Sequence, residues 1–167
     1  MRRIGMAVLI AMLMLALSVA TAFATSPHFI SASASLSGAN LNVSFKESGL
    51  GNNALITYNA TADGTATYVC VNGGNKNPNA SNKETVSGPV SATGTFSSGK
   101  NGSISQTLTL SPPSAGSFSC PSGQKLELAS ASYTDVAITD TTNSVTASIP
   151  GTFSTGCLLP NVKGACG

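Results

Sequence analysis

The 167-residue chain has no tryptophan and one histidine, His28, and only 8% of its residues are charged. Its only arginines, Arg2 and Arg3, stand at the extreme N-terminus. Each shortage excludes something. Beyond residue 3 there is no guanidinium for bidentate phosphate recognition. Beyond residue 24 the six lysines (46, 76, 83, 100, 125 and 163) are matched by six acids (Glu47, Asp63, Glu84, Glu127, Asp135 and Asp140). No basic patch results, so nucleic acid is not an expected partner. A lone histidine near the start leaves serine nucleophiles without a histidine base, and a Ser-Lys dyad is the alternative that composition leaves open. No window beyond residue 24 repeats its apolar residues with a sustained 3.6-residue period, so helices are not expected.

What is present begins with a targeting segment. Arg2 and Arg3 form a basic start, residues 4–20 are apolar apart from Gly5 and Ser18, and Ala22-Phe23-Ala24 is a small-x-small cleavage site. That is the layout of a secretory signal peptide. The competing reading is a retained anchor, because the run approaches the ~18 apolar residues of a membrane span. The cleavage motif favours removal. Residues 1–24 are therefore expected to be the signal peptide and 25–167 a single secreted, extracellular domain with no membrane span after cleavage.

Four cysteines, Cys70, Cys120, Cys157 and Cys166, follow the signal. An even number in an exported chain reads as two disulfides. Zinc would need closely spaced pairs, which are lacking. Three connectivities are possible. The favoured one joins Cys70 to Cys120 and Cys157 to Cys166, the second closing a short loop that ties down the tail.

Short stretches of alternating polarity recur along the chain, which argues for an all-β sandwich or barrel. Residues 29–36 alternate, with Ile30, Ala32, Ala34 and Leu36 on one parity. Gly38 and Ala39 turn the chain into 41–46, where Leu41, Val43 and Phe45 are expected inside. The stretch 54–74 carries Asp63-Gly64, the signature of a two-residue hairpin turn. That hairpin would set Ala62 against Thr65, Tyr58 against Val69 and Ile56 against Val71. The loop 72–83 is the longest polar insertion and the expected contact surface. Residues 84–96 are extended, with a break or an edge bulge at Gly88-Pro89. A five-residue loop, 98–102, would pair Phe96 with Ile104, Ala92 with Leu108 and Val90 with Leu110. Residues 125–139 form the longest extended run, with Leu126, Leu128, Val136 and Ile138 on one parity and Ala129, Ala131, Tyr133 and Ala137 on the other. A four-residue turn would then pair Ile138 with Val145 and Val136 with Ala147.

Two resemblances bear on the fold. Tyr68-Val69-Cys70 resembles the Tyr-x-Cys corner of immunoglobulin domains. That resemblance implies a sandwich of immunoglobulin-like architecture, with Asp63-Gly64 as a crossing between sheets instead of a hairpin. Residues 67–74, 82–92 and 119–124 together resemble small secreted microbial β-sandwich proteins to which no function is assigned. The expected fold is thus an antiparallel β-sandwich of immunoglobulin-like architecture, stabilised by two disulfides.

Candidate chemistry is sparse. Glu47, Glu84 and Glu127 could in principle supply a carboxylate pair, but they read as solvated strand-edge or loop residues. Asp135, Asp140 and Asn143 could offer oxygens to calcium, yet their spacing fits turn chemistry better. Tyr58, Tyr68 and Tyr133 read as half-buried strand residues before a sugar-stacking platform. Asn42, Asn59, Asn79 and Asn101 each begin a glycosylation sequon. No catalytic, cofactor or metal residues are expected. The expected function is a non-catalytic extracellular binding or surface-associated module, its partner a protein or glycan. The alternative is a carrier of a small apolar ligand in a cleft of the sandwich, and a hydrolase with a minimal active site is the least favoured reading.

Overall fold

A computed structural model describes residues 26–74 and 82–166. The signal segment and most of the 72–83 loop therefore lie outside the described residues. Eight strands follow one another: β1 (His28–Ser37), β2 (Asn40–Ser48), β3 (Leu55–Val71), β4 (Lys83–Ser97), β5 (Ser103–Leu110), β6 (Lys125–Asp140), β7 (Val145–Ile149) and the short β8 (Phe153–Ser154). They form two antiparallel sheets packed together, one ordered β1-β2-β5 and the other β4-β3-β6-β7, with β8 paired to β6. Alternation in the sequence explains the core. Leu41, Val43 and Phe45 of β2 pack with Ile56, Tyr58 and Ala60 of β3, with Ile104, Leu108 and Leu110 of β5, and with Tyr133, Val136 and Ile138 of β6. Burying one such large side chain contributes about 1.5–3 kcal/mol.

The second sheet is the longer, and this decides where the disulfides go. The Tyr133 hydroxyl, midway along β6, donates to the Ala39 carbonyl in the β1–β2 turn at 2.6 Å. The ends of β3 and β6 beyond that level have no partner sheet above them. On the inner face, Ala66 and Cys70 are buried by the loop after β5 instead. That loop is gripped at three points. Pro113 packs against Gly64, the Tyr68 hydroxyl donates to the Pro113 carbonyl at 2.8 Å, and Cys120 is disulfide-bonded to Cys70. On the opposite parity, Val69 and Val71 form a satellite cluster with Ala129, Leu159, Val162 and Ala165. There the tail is closed by Cys157–Cys166. Both disulfides are the expected ones, and each fastens an irregular segment over one face of the same overhang.

Several expectations are corrected. Asp63-Gly64 is neither a hairpin nor a corner. β3 runs straight through it, with Gly64 opposite Gly88 on one side and Tyr133 on the other. Glycine is needed there for space: a Cβ would lie 2.9 Å from Pro113 Cδ. The Tyr-x-Cys resemblance therefore has a different cause, because Tyr68 bonds a loop far downstream in sequence. Gly88-Pro89 does not break β4, which is a continuous edge strand paired to β3 without a bulge. β4 and β5 do not pair. Residues 98–102 carry the chain from one sheet to the other, and both strands turn their apolar parity to the common core. Buried Ser98 holds this crossing, its hydroxyl accepting from the Ala54 amide at 3.0 Å and donating to the Gly51 carbonyl at 2.7 Å.

Bulges account for the remaining differences. β1 has an irregularity between Phe29 and Ser31, so Phe29 packs inward and Ile30, 55% exposed, turns out. β6 has an extra residue at Asp135, whose φ is +51°. This puts Val136 and Ile138 on the same inner face as Tyr133 and Ala131, although the sequence parity separates them. The β6–β7 register lies two residues further along than expected, Ile138 opposite Ala147 and Val136 opposite Ile149.

Candidate functional site

The β6–β7 register is set by Asp140. Its carboxylate accepts from the amides of Thr142 at 2.8 Å and Asn143 at 2.9 Å, and from Asn143 Nδ2 at 2.6 Å. This is the turn chemistry expected of Asp140 and Asn143. Asp140 is fully buried, as is Tyr58 at this end of the sandwich. Tyr58 lies directly across from it on β3. Glu47, from the last turn-ward residues of β2, is also 0% exposed.

Glu47 is the largest departure from expectation. The sequence predicts a solvated acid at a strand edge, but Glu47 sits on the inward parity of β2, continuing Leu41, Val43 and Phe45. Neither of its carboxylate oxygens has a hydrogen-bond partner, and neither does the Tyr58 hydroxyl. The two groups lie close enough to alter each other's proton affinity. Around them stand aromatic rings: Tyr58 lies 4.4 Å from Phe45, 6.3 Å from Phe29 and 6.2 Å from Phe96 between centroids. Burial pushes the Glu47 carboxyl above the usual range, and repulsion from Asp140 adds to the rise. The facing Tyr58 hydroxyl and the His28 ring pull the other way. Burial likewise raises the Tyr58 phenol, with Glu47 and Asp140 reinforcing it. An isolated buried carboxylate is costly enough that the group takes up a proton instead.

Among the described residues, no group of three or more His, Cys, Asp or Glu could hold a metal ion. Glu84 and Glu127 are exposed and lie at the opposite end of the long strands from Glu47. The structure therefore does not assemble a carboxylate pair from the three glutamates. The tyrosines form no stacking platform: Tyr58 and Tyr133 are fully buried, and Tyr68 is occupied with Pro113.

The outer faces have a different character. On the longer sheet, hydroxyls meet across strands: Thr57 with Thr95 at 2.9 Å, Thr65 with Ser87 at 2.9 Å, Thr67 with Thr85 at 3.1 Å and Thr139 with Thr146 at 3.0 Å. Thr93 donates to Asn59 at 3.2 Å within the same array. The smaller sheet repeats the pattern with Ser44 and Thr107 at 2.8 Å, and with Thr109 donating to Asn42 at 2.8 Å. Beside them lies a shallow groove of about 510 Å³ lined by residues including Ser31, Ser33, Lys46 and Ser105. Sequence reasoning found the alternation that makes these faces polar, but not the pairing that turns them into ladders. No protein-family model, curated protein or solved structure matches the chain.

Proposed function

We propose that the protein is a secreted, non-catalytic binding or surface-associated module of immunoglobulin-like architecture. Its contact surface is the outer face of the β4-β3-β6-β7 sheet. The observation that carries this reading is the array of paired hydroxyls on that face, set over a filled core. Threonine and serine pairs across strands hold one another in place, so a partner meets an ordered surface. On the β3–β4 part of the face Asp63 and Lys83 carry opposite charges and the rest is uncharged, which suits a neutral partner such as a glycan or an uncharged protein surface. Two disulfides fit an oxidising extracellular setting. Among the described residues, no helix is long and apolar enough to cross a membrane.

Among the described residues the core side chains pack closely, which supports the module over the carrier, and the open groove of about 510 Å³ on the smaller sheet is lined mainly by hydroxyls. Adsorption of the purified protein to cells, insoluble polysaccharides and candidate surface proteins tests the reading. Replacing Thr57 and Thr93 by lysine is expected to lower retention about tenfold while costing no more than about 2 kcal/mol of stability from the two lost cross-strand pairs. Retention unaffected by those changes would remove this face from the contact. A stoichiometric apolar molecule seen by native mass spectrometry would favour the carrier.

A further inference from the structure

Glu47 has no role in the proposed contact face, yet among the described residues it is a fully buried acid whose two oxygens both lack a hydrogen-bond partner. Three buried polar atoms, both Glu47 oxygens and the Tyr58 hydroxyl, share one sealed space without a partner. A buried unpaired group in a folded protein calls for a physical explanation. The cover over this space is thin. Residues 26–29 lie against the end of β2, with the Ser26 carbonyl so close to Gly49 that a Cβ there would overlap it. The His28 ring spans the same edge, Nδ1 with the Ser26 carbonyl at 2.8 Å and Nε2 with the Ser48 hydroxyl at 3.2 Å. Phe29 pairs with Glu47 itself, and the bulge at Ile30 separates this short segment from the rest of β1. The other elements around Glu47 are the central strands β3 and β6, fixed by pairing on both sides, and β5, which sets Ile104 opposite it.

We propose that Glu47 is a pH-operated latch: as a neutral acid it lets residues 26–29 close over the end of the sandwich, and on losing its proton it opens them. The groups that face it are Tyr58 from β3, Asp140 from β6 and His28 from β1; β5 offers only Ile104. Asp140 repels the ionised form, and Tyr58 can donate only one hydrogen bond to it. Water is then the remaining source of donors, and the edge segment ahead of the bulge is the element that moves with least loss of pairing. In the step the carboxyl O–H bond breaks, the proton passes to entering water or hydroxide, and the electron pair stays on the carboxylate. Opening uncovers Phe45 and Tyr58, an aromatic surface absent from the closed form.

Three glutamates, Glu47, Glu84 and Glu127, make a direct test simple. Side-chain carbon-13 NMR of the intact secreted chain, with the Glu47 carboxyl assigned through its own backbone, should show that carboxyl titrating above the usual range. Amide exchange, corrected for its intrinsic pH dependence, should show protection at residues 28–30 falling by up to roughly tenfold per pH unit between the ordinary glutamate value and that raised midpoint, and levelling off above it. Protection in β3 and β6 should hold. Glu47→Gln should abolish the pH dependence at residues 28–30. The proposal is overturned if the Glu47 carboxyl does not titrate above the usual range, if protection at 28–30 does not change with pH, or if the glutamine variant keeps the same dependence. The NMR titration is read on the unmodified chain, so it decides the matter even if the variant fails to fold.

Discussion

Two tyrosines offer the sharpest check on the buried geometry. Tyr58 and Tyr133 are both fully buried, and each becomes phenylalanine by loss of one oxygen. At Tyr133 that oxygen donates to the Ala39 carbonyl at 2.6 Å. Removing it costs a hydrogen bond and leaves the carbonyl to find water, a loss of about 1–2 kcal/mol. At Tyr58 the oxygen has no partner. Burying a hydroxyl unpaired costs about 1–3 kcal/mol in protein mutational data, so its removal should recover part of that. Urea unfolding with both disulfides intact reads the difference. With a slope of about 2 kcal/mol/M, Tyr133→Phe should lower the midpoint by roughly 0.5–1 M, whereas Tyr58→Phe should leave it unchanged or raise it. The comparison is best made at about pH 4, below the ordinary glutamate value of 4.5, where Glu47 is neutral and asks least of the Tyr58 hydroxyl. An equal fall in the two variants would refute the reasoning, because it would mean that Tyr58 makes a bond the geometry does not contain.

Other outcomes follow from the same structure. The raised Glu47 carboxyl binds its proton more tightly folded than unfolded. Its contribution is therefore fully present below about pH 4.5 and is lost as pH rises through the folded value, a decline that thermal melts should record and that Glu47→Gln should flatten. Gly64→Val forces a Cβ against Pro113 and should cost about 1–3 kcal/mol, while Gly88→Ala, with nothing near its Cβ, should cost nothing; both are read by calorimetry. Removing Cys70–Cys120, a separation of 50 residues, should cost roughly 4 kcal/mol in the chain-entropy model, against roughly 2.5 kcal/mol for Cys157–Cys166, a separation of 9; denaturant midpoints of the paired alanine variants test the order. Asp140→Ala leaves three donors in the β6–β7 turn without their acceptor and should cost about 2–3 kcal/mol, seen as faster exchange of the Thr142 and Asn143 amides.

Some of this was legible before any coordinates. Period-two alternation placed Leu41, Val43 and Phe45 inside, Gly38 and Ala39 at a turn, and the boundaries of β4, β5 and β7 within a few residues. Cysteine spacing suggested both disulfides. These are local properties: side-chain direction along a strand and the reach of a short loop depend on neighbours in sequence. The candidate site was harder to read. Glu47 shares the parity of three buried residues, and that signal was outweighed by the expectation that an acid near a strand end is solvated.

Tertiary packing decided the rest. The same alternation suits a hairpin or a crossing between sheets, so β4 and β5 could be told apart only by which sheet each joined. Asp63-Gly64 has the chemistry of a turn, but Pro113 and two flanking strands keep it extended, because glycine also serves where another chain segment comes close. A single extra residue at Asp135 reverses the parity of half of β6, and no local pattern marks it. Glu47, Tyr58 and Asp140 come from three strands far apart in sequence and meet only when the sheets close. The sequence alone therefore determined an all-β, disulfide-bonded chain with hydroxyl-rich strand faces. Only the packed sheets decided which hydroxyls pair into ladders and which acid is sealed beneath residues 26–29, because both depend on register and burial between distant strands.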